Sequence, residues 1–404
     1  MPPTSPDAGP PLDAAKVCGD IASKKRTRRF AHKAFQVFLV GHLYIGLRLI
    51  PDLEFGRETD LAALAFLTLT NILIPYGTMA RRFVADPEIV DRLVWAGGLT
   101  MGWFSSLLVL TILRDVALLI PASAPWRGDS VLWVIVAALT VTIIGFVNAR
   151  MTARVKYVDI PITGLPDALN GFTIAQITDV HVGPTIKGDY VRRIVRRVNN
   201  LTVDAVAITG DVVDNTVDIL TDHTAPLAEL RARHGCFVVT GNHEYYSGAD
   251  DWMTEFRRLG LKTLTDEHVV INHNGAQLVI AGVNDYSAIS RNPNETSPEL
   301  HGSNPAKALD GSPNDAPKVL LAHQPRSATA AAEAGFDLQL SGHTHGGQFW
   351  PWNLFVRMQQ PYTAGLCRLN KLWVYTSRGT GYWGPPKRFG APSEITLIRL
   401  IPTG

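Results

Sequence analysis

The sequence GFTIAQITDVHVG, residues 171–183, contains the pattern that decides the fold of this chain. A short run rich in β-branched residues, 173–178, is followed at once by Asp179 and His181. Four later runs repeat the arrangement and also end at polar side chains: 205–209, 236–240, 319–322 and 338–341. Helical patterns alternate with these runs, so we predict an α/β fold from residue 159 onward.

The polar residues that follow the five runs form one predicted site. In open α/β sheets, ligands bind beyond the carboxyl ends of the strands, where these side chains are expected to meet. They are hard-to-borderline metal ligands without a thiolate, and seven exceed what one tetrahedral ion requires. With one carboxylate bridging, the set suits two ions about 3.5–4 Å apart. The predicted metal ligands are Asp179, His181, Asp211, Asn242, His323, His343 and His345.

The first 157 residues have a different composition, which predicts a membrane region. Only 18% of the chain is charged, whereas an average soluble domain is about a quarter charged. Three stretches lack Asp, Glu, Lys and Arg and are long enough to cross a bilayer, and a shorter stretch precedes them. The alternative is a set of buried helices in a large soluble domain. The predicted transmembrane region covers 34–150, with helices at 34–50, 61–80, 94–113 and 131–149 after a disordered basic tail at 1–33.

The distribution of basic residues predicts the orientation of this integral, multi-pass region. With four spans, 12 Lys and Arg residues flank the helices on one side and three on the other. The positive-inside rule then places both termini and the C-terminal domain in the cytoplasm. Arg28 and Arg29 before an apolar run leave export through a twin-arginine signal as an alternative. A transporter is a further alternative, and its polar candidates within the spans are His42, Asn71, Arg114 and Asp115.

The charge and the cysteine content argue against nucleic-acid-binding and cysteine-rich classes of protein. After residue 156 there are 21 Lys and Arg against 24 Asp and Glu, so no nucleic-acid-binding patch is evident. Three cysteines are too few and too scattered for a disulfide framework or a cysteine-rich zinc site. Residues 287–317 are rich in Asn, Pro, Ser and Gly and predict a long surface loop.

Taken together and in order, the motifs resemble those of the calcineurin-like metallophosphoesterase superfamily. The resemblance covers residues 158–404, and the segments 377–381 and 383–386 are similar to the membrane-associated branch that carries an N-terminal multi-span region. It implies two packed mixed β-sheets flanked by helices, following an α-helical transmembrane bundle. The motifs are Asp179-x-His181, Gly210-Asp211-x-x-Asp214, Gly241-Asn242-His243-Glu244, His323 and Gly342-His343-Thr344-His345.

The resemblance also implies a role for each site residue. Asp179, His181 and His345 would hold a first divalent metal, and Asn242, His323 and His343 a second. Asp211 would bridge both metals and is expected to be catalytic together with His243, which would protonate the leaving oxygen. Asp214 and Glu244 are expected to support the ligands or the fold. The two metals are expected to be Mn, Fe, Zn or Co, with Mn the first choice.

From these roles we predict a membrane-anchored, metal-dependent phosphoesterase, with phosphodiesterase activity preferred, in which a hydroxide bridging the metals attacks the phosphoester. The expected partners are a phosphoester substrate, for which a lipid-linked compound is considered because of the anchor, and membrane lipid. The rival function is a membrane sensor or scaffold whose metal domain binds a ligand without turnover. Candidates for gripping the phosphate or stacking on a base or sugar, unless they are surface or core residues, are Arg378, Arg388, Trp350 and Trp383.

Overall fold

The computed structural model describes residues 35–288 and 302–403. The basic tail predicted at 1–33, residues 289–301 of the predicted surface loop, and Cys18 lie outside this part of the chain. Within it, four N-terminal helices precede a sandwich of two mixed β-sheets with flanking helices. The predicted α/β class and the sandwich that the resemblance implies are therefore confirmed.

The N-terminal helices coincide with the predicted apolar stretches. Three of them, two of which are extended by short 3₁₀ turns, are long and apolar enough to cross a membrane, whereas the described part of the first is shorter. At most 44% of the most apolar window of any of the three is buried. Apolar helices inside the core of a soluble domain would be buried on all sides, so the partial burial favours membrane helices over the soluble alternative. The helices are α1 (35–49), α2 (Arg57–Met79), α3 (Pro87–Ala117) and α4 (Arg127–Arg150).

Polar side chains of this region form local pairs. Arg48 Nε donates to Asp115 Oδ2 at 2.7 Å, and Arg114 is paired with Asp52. Each pair joins neighbouring helix ends, so packing accounts for two of the four transporter candidates, Arg114 and Asp115.

α2 and α3 pack most closely where two glycines meet. A Cβ on Gly97 would lie 2.7 Å from the Cα of Gly77. Small residues at such a crossing let two helix backbones approach, and a larger side chain would force them apart.

We expect Gly97→Leu to lower the stability of the helical region by about 1–3 kcal/mol, the usual cost of overpacking. Thermal unfolding of the full chain in detergent measures the change. Leu99→Ala is the matched control, because Leu99 lies on the exposed side of the same helix. Equal unfolding temperatures for Gly97→Leu and the original chain would contradict the close packing.

The described sandwich contains two six-stranded sheets. The first has the order β1 (Arg154–Ile162), β12 (Glu394–Pro402), β2 (Thr173–Ile177), β3 (Ala205–Thr209), β4 (Cys236–Val239), β5 (Lys262–Thr263). The second has the order β10 (Gly365–Leu369), β11 (Leu372–Thr376), β9 (Leu338–Ser341), β8 (Lys318–Leu321), β7 (Ala276–Gly282), β6 (Glu267–His273). All five predicted strands appear within one residue of their predicted bounds. β2 to β5 are mutually parallel, as are β7, β8, β9 and β11.

Apolar layers hold the sheets and helices together. The inner faces of the sheets meet in one cluster that includes Ile174, Phe237, Leu278 and Leu340. A second cluster lies between the first sheet and its helices, and a third between the second sheet and α9 (Ala328–Ala334). The helices of this part are α5 (Gly188–Asn199), α6 (Val217–Thr224), α7 (Asn242–Ser247), α8 (Ala249–Arg258), α9 (Ala328–Ala334) and α10 (Asn353–Val356).

One loop of the sandwich, residues 383–389, docks between α3 and α4. The Arg388 amide donates to the carbonyl oxygen of Gly145 at 2.8 Å. The Lys387 ammonium donates to the carbonyl oxygen of Gly102 at 2.7 Å and is buried between the two helices. The sandwich therefore lies against the C-terminal end of α4 and the N-terminal half of α3.

Candidate metal centre

Most of the predicted metal ligands lie in loops with an unusual backbone. Five of the seven have φ angles between 51° and 70°. Few residues other than glycine adopt positive φ, and such strain is usually retained at functional sites. Each of these loops follows the carboxyl end of a strand, β2, β3 or β9. The five residues are Asp179, His181, Asp211, His343 and His345.

The glycines of the motifs allow neighbouring loops to touch. A Cβ on Gly342 would lie 2.1 Å from Thr178 Oγ1, and a Cβ on Gly241 would lie 2.2 Å from Asp211 Oδ1. Close contact between neighbouring loops therefore requires glycine at both positions.

The first group of donors comprises Asp179, His181 and His345. Their ligand atoms all lie within 4.8 Å of one another, and all three side chains are buried. The two Nε2 atoms of His181 and His345 are 3.0 Å apart, and His345 Nε2 is 3.4 Å from Asp179 Oδ1. This is the set that the resemblance assigned to one metal.

The second group comprises Asp211, His323 and His343, again within 4.8 Å. His323 Nε2 is 3.1 Å from Asp211 Oδ2 and 3.2 Å from His343 Nδ1. Asp211 Oδ2 is also 3.9 Å from His181 Nε2 of the first group. Asp211 thus lies between the two groups, as a bridging carboxylate would.

The donor atoms fit divalent metal ions. In each group two imidazole nitrogens face each other, an arrangement that a shared cation would satisfy. Asn242 Oδ1 is buried without a hydrogen-bond partner among the residues that the structure describes, although buried polar atoms normally have one. Imidazole, carboxylate and amide donors suit Mn, Fe, Zn or Co.

The charge states of His343, His345 and Asp211 suit metal ligands, whereas burial opposes protonation of His323 but Asp211 raises the pKa of His323 well above its usual value. Burial lowers the pKa of His343 to about 3 and holds the pKa of His345 well below its usual value. Both rings are therefore neutral at physiological pH, as imidazole ligands must be. Burial disfavours the charged form of Asp211, but His323 and His243 hold the pKa of that carboxyl well below its usual range.

His243 lies beside the donors without belonging to the two groups just described. Its Nδ1 is 2.7 Å from Asp214 Oδ1, and the same oxygen is 2.8 Å from Nδ1 of His181. One carboxylate therefore orients two imidazoles and leaves the Nε2 of each directed toward Asp211, 4.0 Å away for His243. Burial opposes protonation, but Asp211 and Asp214 raise the pKa of His243 to about 9. Sequence reasoning did not find this double role of Asp214.

Glu244 connects two of the ligand loops. Its buried carboxylate accepts the backbone N–H groups of Gly241 at 2.6 Å, Asp211 at 2.9 Å and Val212 at 2.7 Å. The motif Gly241-Asn242-His243-Glu244 identified this residue, but it did not predict which backbone groups the carboxylate would bind. The structure assigns it to holding the loops of Asp211 and Asn242 together.

The four residues predicted as candidates for substrate contact lie in different environments. Arg388 is buried and donates to the carbonyl oxygens of His345 and Gly381, and its Nη2 lies 2.9 Å from His345 Nδ1. The idea that Arg388 grips a phosphate is therefore wrong, because its donors are used to support a ligand. Trp383 lines the cleft, with its ring 5.8 Å from that of His243. Arg378 and Trp350 are not among the residues that line the described cleft.

The donors open into a cleft with mixed walls. The cleft has a volume of about 660 Å³ and contains donors of both groups at its base. Its walls combine glutamines with apolar side chains, including Phe349, Trp352 and Met101 of α3. A second cavity of about 360 Å³ adjoins it and shares Met101, His243 and Trp383. The arrangement can place a polar group on the donors and an apolar group against α3.

Comparisons with known proteins find a matching family model, relatives and similar structures. A family model for calcineurin-like phosphoesterases matches residues 172–347. A protein of Bos taurus, "Transmembrane protein with metallophosphoesterase domain", is 37% identical over 276 residues, 66% of this chain and 61% of that protein. An uncharacterized metallophosphoesterase of Aquifex aeolicus is 32% identical over 229 residues, 56% of this chain and 84% of the relative. The structure of NAD nucleotidase from Haemophilus influenzae matches with 16% identity and a TM-score of 0.37, over 52% of this chain and 50% of that one. The chain spans less than two thirds of the length of the bovine relative.

Proposed function

The chain belongs to the calcineurin-like phosphoesterase family, and from that premise we propose that it is a membrane-anchored hydrolase of phosphoesters, with phosphodiesters preferred. The observation that supports this best is the meeting of the predicted donors in two groups with Asp211 between them. We propose Asp179, His181, Asp211, Asn242, His323, His343 and His345 as ligands of two divalent metals.

Bound at these residues, two cations would supply Lewis-acid polarisation of a phosphoryl group and acidification of a water molecule. Asp211 holds a negative charge between the two groups of imidazoles. Asp179 is buried, and its two carboxylate oxygens accept the backbone N–H of His343 at 2.9 and 3.1 Å. These bonds hold the loop of His343 and His345 against the loop of Asp179 and His181.

His243 has the geometry of a proton donor to the leaving group. Its Nδ1–H donates a hydrogen bond to Asp214. The proton available for transfer is therefore the one at Nε2, on the side of the cleft. The pKa of about 9 keeps this proton in place at neutral pH. A sensor that binds a ligand without turnover would not require such a donor, so this geometry favours the enzyme over the rival function.

We further propose that the protein is multi-pass and that the sandwich is cytoplasmic. The helix ends beside the sandwich carry Arg81, Arg82, Arg92 and Arg150, and the opposite ends carry Arg48, Arg57, Arg114 and Arg127. The residues that follow α4, with Arg154 and Lys156, add to the basic charge beside the sandwich. The positive-inside rule favours the cytoplasm for the more basic side.

The proposal is tested with the full chain in detergent micelles. We expect two metal ions per chain after gel filtration in Mn-containing buffer, and faster hydrolysis of methyl p-nitrophenyl phosphate than of p-nitrophenyl phosphate. A folded chain that binds no metal would contradict the ligand set. Two bound metals without hydrolysis of either ester would favour the sensor.

A further inference from the structure

The catalytic cleft is partly walled by a helix of the membrane region. Met101 of α3 lines the same cleft as Asp211 and His343. The adjoining cavity is lined by Gly77 of α2 and Gly98 of α3 on one side and His243 on the other. The proposed reaction site and the membrane helices therefore share one continuous space.

The position of Met101 along α3 places it at the depth of the hydrocarbon. α3 has 31 residues, whereas about 20 residues of helix are enough to cross the hydrocarbon core. Every 20-residue window of Pro87–Ala117 includes residues 98–106. With 20 residues of this helix in the hydrocarbon core, Met101 is among them, and so is Ser105, whose Oγ accepts from Trp352 Nε1 at 2.9 Å.

The outer edge of the cleft is an exposed apolar surface. We name as the apolar rim Trp352, Leu354, Phe355 and Met358, which are 43%, 61%, 53% and 83% exposed. Trp352 belongs both to the rim and to the cleft and is bonded to α3. An exposed cluster of this kind beside a membrane helix is typical of a segment that lies in the bilayer interface.

We infer that the substrate is a phosphoester lipid that enters the cleft from the bilayer. This inference rests on the proposed function. The phosphoester would reach the metal donors at the base of the cleft, and its hydrocarbon chain would lie between Met101 and the apolar rim. The cleft matches such an amphiphile because metal donors and apolar side chains line the same space, and one of its apolar side chains, Met101, belongs to a membrane helix.

The test compares two diesters that differ only in their chain, hexadecyl p-nitrophenyl phosphate and methyl p-nitrophenyl phosphate. The full chain is assayed in mixed micelles at fixed detergent. We expect kcat/KM to be about 100-fold higher for the hexadecyl ester. The burial of only three or four methylene groups of its chain would account for this difference. Met101→Ser is expected to reduce this ratio at least about fivefold, because it removes apolar wall from the cleft.

Two variants separate the cleft from the helix as a whole. Met101→Leu should keep the hexadecyl-to-methyl ratio of kcat/KM that the original chain has, because leucine preserves the volume and apolar character of the side chain. Ile112→Ser is the matched control, since Ile112 is an exposed apolar residue of α3 outside the cleft. We expect it to keep the ratio of the original chain.

Each outcome is decisive for one of the two proposals. Hydrolysis of the methyl ester at the same or a higher efficiency overturns the lipid inference and leaves the phosphoesterase in place. Better hydrolysis of thymidine p-nitrophenyl phosphate than of the hexadecyl ester overturns it in favour of a soluble nucleotide. Two bound metals without hydrolysis of any of these esters overturns the phosphoesterase itself.

Discussion

Asp211→Asn is expected to lower diesterase activity by about 10³-fold or more and to reduce the bound metal below two ions per chain. Asp211 Oδ2 lies 3.1 Å from His323 of one donor group and 3.9 Å from His181 of the other. Removing its charge therefore weakens both groups at once. Metal ions contribute several kcal/mol of charge stabilisation, and each 1.36 kcal/mol is a factor of ten in rate. Metal analysis after gel filtration and turnover of methyl p-nitrophenyl phosphate measure the two effects.

Asparagine is the informative replacement because it preserves shape. Asp211 Oδ1 accepts the backbone N–H of His243 at 2.9 Å, and an amide oxygen can keep that bond. Asp337→Asn is the matched control: this carboxylate also accepts a backbone N–H, from Lys318 at 2.8 Å, but lies at the start of β9. We expect the control to keep two metals and normal turnover. Two metals with normal turnover in Asp211→Asn would contradict its place between the sites.

The strand ends were predictable because each depends on a short, regular pattern. All five side chains of 205–209 are buried, and such a run between turn residues is typical of a strand covered on both faces. Parallel strands bring their carboxyl ends to one edge, so the meeting of Asp179, Asp211 and Asn242 followed from the runs themselves. The assignment of the donors to two separate groups came from the family resemblance; the structure places six of the seven in two such groups, and their binding of metal stays a prediction.

The contacts that were missed join segments that are distant in sequence. Asp214 orients both His181 and His243 because their loops meet over one carboxylate oxygen, and no spacing in the sequence contains that information. Arg388 was a candidate for substrate contact because it lies near the motifs, but its guanidinium points into the protein. Nothing in the sequence indicated a role for Met101 in the site, because its side chain is apolar. Only the docking of the sandwich on α3 brings it into the cleft. The predicted span at 34–50 stays a prediction.

His243→Ala is expected to keep two metal ions per chain and to lower turnover by about 10²–10⁴-fold, the usual contribution of a general acid. Metal content should persist because Asn242 and the two donor groups are unchanged. The loss should depend on the leaving group. An alkoxide needs a proton as it departs, whereas p-nitrophenolate is stable without one. We therefore expect a large loss of turnover with a dialkyl phosphate such as dimethyl phosphate and a small loss of turnover with methyl p-nitrophenyl phosphate.

This dependence on the leaving group distinguishes proton donation from a merely structural role of His243. If the ring only supported the fold, the variant would lose activity equally on both esters and would lose metal as well. Asp214→Asn provides the comparison, because its carboxylate orients His181, a proposed metal ligand, in addition to His243. We expect Asp214→Asn to weaken metal binding and to slow both esters, whereas His243→Ala slows mainly the alkyl ester. Full activity of His243→Ala on an alkyl ester would remove this residue from the mechanism.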